Sequence, residues 1–150
     1  DAREYQYVAA NYLKAMQSYL TESDLPKLEH LVVTKSWWDT VDILDRVVGS
    51  LVYEKQELEK IILQWSLSDN IWLRRVAIDH QLLRKEKTNV QLMEKILLHN
   101  LNQTEFFINK AIGWALRDYS KTNPTWVAGF IEKNKERMAD LSIKEASKYL

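Results

Sequence analysis

Two tryptophans and two aspartates crowd the segment TKSWWDTVDIL, residues 34–44, and their spacing raises a chemical question. Trp37, Val41, Leu44 and Val48 recur at i, i+4, i+7 and i+11, which gives a helix one apolar stripe and places Trp37 in the core. Trp38 falls outside that stripe, on one face with Asp42 and Asp45. The segment IWLRR supplies Arg74 and Arg75 one repeat further on, and INKAIGWALR supplies Trp114 between Lys110 and Arg117. An indole face attracts cations, by about 0.5–2 kcal/mol depending on desolvation. A carboxylate stabilises positive charge that develops during bond cleavage, as in glycoside hydrolysis. Arginine grips phosphate. A phosphate-bearing substrate whose cationic ring is joined to a sugar would use all three, and an N-alkylated purine in DNA fits that description. Its base departs as a neutral leaving group, so no general acid is needed.

Each residue also has a plainer use. Asp42 can pair with Arg46 and Arg75 with Asp79, both at i+4 on a solvated face. Trp37, Trp65 and Trp126 read as packing residues, and Ile71, Trp72, Phe107, Ala111 and Leu116 as core. His30 and His99 read as surface or half-buried groups. The combination of Trp38, Asp42, Arg75 and Trp114 is what points to chemistry.

The elements that position these residues follow from a repeat. The segments YQYVAANYL, WWDTVDILDRVV, IWLRRVAIDHQLL and FFINKAIGWALRDY align on Tyr5, Trp38, Trp72 and Phe107, spaced by 33, 34 and 35 residues. Each precedes a second helical segment: LPKLEHLVV, ELEKIILQW, LMEKILLHN and TWVAGFIEK. With 3 glycines, 2 prolines and helical periodicity throughout, the chain reads as all-α. A helix pair repeating near this period predicts an α-solenoid of HEAT-like repeats: about four pairs plus a short C-terminal helix in one domain, 1–150, curved into a superhelix with a concave groove. Asp24-Leu25-Pro26 and Asn123-Pro124 read as helix starts. The tripeptide Lys-Thr-Asn occurs at 87–89 and again at 121–123, as a helix cap or a phosphate seat.

Composition excludes several classes. The 150 residues hold 21 basic and 21 acidic side chains and no cysteine. A generally basic coat for nucleic acid is therefore absent, although a local basic face remains open. Thiolate metal sites, disulfides and cysteine nucleophiles are excluded, and the three histidines lack ligand spacing, so neither metal nor cofactor is expected. No apolar run reaches membrane-spanning length and no signal peptide opens the chain, which reads as cytoplasmic.

The blocks KSWWDTVD (35–42), NIWLRR (70–75) and EFFINKAIGWALRDYSKTNP (105–124) resemble the AlkD-like DNA alkylation repair family, HEAT-like-repeat glycosylases that excise alkylpurines. The resemblance covers essentially the whole chain. It implies that Trp38 and Trp114 contact the lesion nucleotide, that Asp42 is the catalytic aspartate and that Arg75 holds the DNA backbone, without flipping of the base. Lys35, Arg74, Lys110 and Lys121 are expected to complete the basic surface. The expected partner is damaged duplex DNA, bound by a monomer with no membrane attachment. Family members carry additional N-terminal helices, so the chain, starting at Asp1, reads as a C-terminal portion of a longer one. The rival readings are a catalytically silent DNA binder and a protein-binding scaffold with Trp38 and Trp114 as anchors.

Overall fold

A computed structural model describes residues 2–150. Among them there are nine α-helices, several short 3-10 turns and no strand. The chain divides into two compact units, Asp1–His80 and Gln81–Leu150.

The first unit holds α1 (Ala2–Ala15), α2 (Leu25–Val33), α3 (Trp38–Glu54), α4 (Glu59–Trp65) and α5 (Ile71–Asp79). Helix α3 is its centre, packed by α1, α2 and α5. Val41, Leu44, Val48, Val47, Leu51 and Val52 are all buried along it. These make a stripe of γ-branched and β-branched side chains wide enough to seat three neighbours. Near the other end of α3, Gly49 lies against the carbonyl of His80, so closely that a Cβ there would collide with backbone. A glycine at this point lets the end of α5 approach α3.

The second unit holds α6 (Val90–His99), α7 (Phe106–Ser120), α8 (Pro124–Asn134) and α9 (Asp140–Ala146). Helix α7 buries Ile108, Ala111, Ile112, Ala115 and Leu116 and packs chiefly against α9, then α8. Gly113 is again a point of close approach: a Cβ would stand 2.6 Å from the Cβ of Glu145 on α9.

Helix starts follow local chemistry. Asn70 accepts from the amides of Trp72 and Leu73, Asn89 from Leu92, and Asn123 from Trp126. Pro124 occupies the first helical position of α8 as expected. Both Lys-Thr-Asn copies are thus capping segments, with the asparagine oxygen on the amides that a phosphate would need. Asp24 departs from its expected role. Its carboxylate accepts from the amide of Thr21 and closes the preceding 3-10 turn, leaving α2 without a side-chain cap.

The 34-residue period reappears in contacts between side chains. Within the first unit, Trp37 meets Trp72 and Asp42 meets Arg75; within the second, Asn109 meets Ser142 and Lys110 meets Glu145. Each pair lies 33 to 35 residues apart. Within each unit, first helices of successive repeats are therefore neighbours, and a residue on one touches its counterpart on the next.

Candidate nucleic-acid site

Helix α3 begins at Trp38, one residue later than the apolar stripe implies. Trp37 sits at the N-cap in extended backbone and is 48% exposed, as is Trp38. The expectation that Trp37 belongs to the core is thereby corrected. The left-handed turn at Lys35 (φ 50°) delivers the chain to α3 with Trp37 outside the helix, and its ring leans on Trp72 at 5.8 Å between centroids. Trp72 and Ile71 are half-buried and not core, as is Phe107, whereas Trp65 is buried as expected. Trp126 is half-buried and stacks on Phe130 at 5.4 Å. Trp38 is the exposed ring anticipated on the first turn of α3, with Asp42 one turn on.

Asp42 is held from α5. Arg75 Nε donates to Asp42 Oδ1 and Nη2 to Oδ2, both at 2.9 Å, in a two-pronged fork. Asp42 therefore pairs with Arg75 and not Arg46, and Arg75 with Asp42 across the repeat. Nor does Arg75 lie on a solvated face: the residue is 3% exposed. With two donors on Asp42 and so little surface, Arg75 fixes a carboxylate in this structure. The Asp42 side chain keeps 25% of its surface open, so one side of the carboxylate stays in reach of a substrate.

Beneath this pair lies a buried acidic layer, and it corrects two expectations: Asp45 does not share the open face of Trp38, and Asp79 does not lie on a solvated face. Asp45 is 2% exposed and Asp79 1%. Oxygens of Asp42, Asp45 and Asp79 lie within 4.8 Å of one another. Burial, and next the neighbouring Asp79, hold the Asp45 carboxyl well above the usual aspartate range. Arg46 and Arg75 pull the other way. Burial also opposes the charge of Arg75, but the hydrogen bonds to Asp42 and the charge of Asp79 more than offset it. Three carboxylates so close could ligate a divalent cation; here the Arg75 guanidinium already supplies positive charge among them.

In the second unit, Trp114 is half-buried on α7. Lys110 Nζ lies 5.9 Å and Arg117 Cζ 5.6 Å from its ring centroid. Lys110 is not free: Glu145 of α9 binds its ammonium at 2.8 Å and Arg117 Nη1 at 3.1 Å. These contacts, with that from Lys110 the largest, hold the Glu145 carboxyl below the usual glutamate range. Neither Arg117 nor Glu145 was among the expected site residues. Of the remaining cations, Lys35 and Lys121 are exposed, the latter 5.1 Å from the Tyr149 ring centroid, and Arg74 is half-buried. No helix among the described residues is long and apolar enough to cross a membrane.

The helical-repeat chain carries the indole and the carboxylate of the expected site on one helix, and the comparisons give its family. The family model for DNA alkylation repair enzymes matches residues 1–150, and the chain belongs to that family. It is similar to a solved structure described as a predicted DNA alkylation repair enzyme from Enterococcus faecalis, with 39% identity and a TM-score of 0.91. That match covers 99% of this chain and 69% of the other. No curated protein matches the chain. Membership places the protein in the repair of alkylated DNA.

Proposed function

We propose that the chain is a monofunctional DNA glycosylase that excises cationic N3- or N7-alkylpurines from duplex DNA, the first step of base excision repair. The observation that carries this reading is the Arg75–Asp42 fork: a carboxylate fixed by a buried guanidinium, partly open, one turn from an exposed tryptophan. In the reaction the bond between C1′ and the purine nitrogen breaks, and its electron pair leaves with the base, which becomes neutral. The sugar is left oxocarbenium-like. Asp42 stabilises that charge and orients the water that adds to C1′, whose proton passes to the carboxylate and then to solvent. Trp38, and Trp114 in the second unit, pack against the sugar-phosphate of the lesion and favour its positive charge. Arg75 acts as a positioning residue for Asp42. Backbone phosphates fall to Lys35, Arg74, Lys110 and Lys121, which fix register without reading sequence. Selectivity comes from the lability of the cationic base itself, so no snug pocket for an extruded base is required, unlike most base-acting enzymes. The protein acts as a monomer and needs no cofactor.

The test is release of 7-methylguanine from alkylated duplex DNA by wild type and Asp42→Asn. Loss of release with duplex binding retained is the expected result. Equal release by both proteins would remove Asp42 from the mechanism. Binding without release by wild type would leave a DNA-binding relative without catalysis.

A further inference from the structure

Glu145 stands where an anion is wanted. Its carboxylate joins Lys110 at 2.8 Å and Arg117 at 3.1 Å, and both cations lie within 6 Å of the Trp114 ring centroid. Two cations share one carboxylate, so the cluster keeps one positive charge in excess. All three charged side chains remain partly open, at 26%, 26% and 20% exposure for Lys110, Arg117 and Glu145. The cluster faces solvent, so an incoming anion can reach it. The placement of Glu145 is enforced from below. Gly113 lacks the Cβ that would meet the Glu145 stem at 2.6 Å, and Ser142 Oγ donates to the Asn109 carbonyl at 2.7 Å, pinning α9 to α7 one turn before Glu145.

We infer that Lys110 and Arg117 form a seat for one backbone phosphodiester beside Trp114, and that Glu145 is the resident anion the phosphate displaces. This rests on the DNA-binding part of the proposed function and not on base release. A phosphodiester carries the same single charge as the carboxylate and offers two oxygens to the same donors. The exchange lowers the affinity that the two cations would otherwise give and makes binding depend on a backbone that can reach Trp114. Weak dwell on undamaged duplex is the consequence.

The test is duplex DNA binding by the full chain at several salt concentrations, for wild type, Glu145→Gln, Glu145→Asp and Arg117→Gln, with thermal unfolding recorded for each. Glu145→Gln should bind about 3- to 10-fold tighter. Its log–log salt slope should stay close to that of wild type, because the same phosphate is neutralised in both complexes. Glu145→Asp keeps the charge on a stem too short to reach both cations and should fall between the two. Arg117→Gln should weaken binding and flatten the slope. Unchanged or weaker binding by both Glu145 variants, whether or not their melting temperature falls, would overturn the inference and leave Glu145 as a brace between α7 and α9. Wild type that binds DNA but releases no base would remove the glycosylase reading and leave this one standing. Normal base release with Glu145 variants of unchanged affinity would remove only this one.

Discussion

Asp42 and Arg75 are one device, yet losing either half has a different consequence. Asp42→Asn keeps the shape and removes the charge, so the rate of base release should fall by about 100- to 1,000-fold, the scale of a single electrostatic contact in a transition state. Arg75→Ala removes the buried partner and leaves Asp42, Asp45 and Asp79 without their shared cation. Breaking such a pair costs about 3–5 kcal/mol when buried. The open side of Asp42 puts this one near the low end, readable as a drop in denaturant midpoint. Asp45 brings a pH dependence of definite sign. Its folded pKa is raised, so the folded state holds a proton that the unfolded chain has already released. Stability is therefore highest below the unfolded aspartate range, falls as pH rises toward the folded value, and levels off above it. Carboxyls lowered in the fold, such as Glu145, give the opposite slope at acid pH. The difference between wild type and Asp45→Asn isolates the effect. The variant should be the more stable protein near neutrality, by about 1.4 kcal/mol for each pH unit of the shift. Urea midpoints across a pH series check this, and a parallel pair of curves would contradict it.

At the scale of helices, what was legible depended on how far information travels along the chain. Periodicity placed the helices, and the cap chemistry of Asn123-Pro124 set the start of α8. Asn123→Ala should accordingly cost about 1 kcal/mol in unfolding free energy, with no change in duplex binding if its oxygen serves only the Trp126 amide. Trp37 was misplaced because the stripe Trp37-Val41-Leu44 satisfies helical spacing, while the left-handed Lys35 that ends the stripe early leaves no periodic trace. Trp38 was legible as the residue the stripe did not need. The partners of the site residues were harder to see. Asp42 could pair with Arg46 by i+4 spacing, and only tertiary packing selects Arg75. Yet the signal was present in the repeat itself. Adding one period to Asp42 reaches Arg75, and adding one to Lys110 reaches Glu145. The period that named the fold also names cross-repeat contacts. The depth of Asp45 and Asp79 was not legible, because burial of an i+3 neighbour depends on the helix that covers it.

For the molecule as a whole, a net charge of zero decides how DNA binding must behave. A polyanion gains nothing from the average field of such a chain, so affinity has to come from a few local cations, each releasing counterions as it meets a phosphate. The salt slope then counts them. Lys35 in the first unit and Lys121 in the second are both exposed and carry the same charge. If both units bear on the duplex, Lys35→Gln and Lys121→Gln should each flatten the log–log slope by about 0.9. The double variant should flatten it by the sum, since each phosphate contact releases its own counterions. Titration of labelled duplex by anisotropy at four or five salt concentrations measures this directly. A slope that responds to one lysine and ignores the other would confine DNA binding to a single unit. Wild type that binds no duplex at any of these salt concentrations would favour a protein partner for the exposed Trp37 and Trp38.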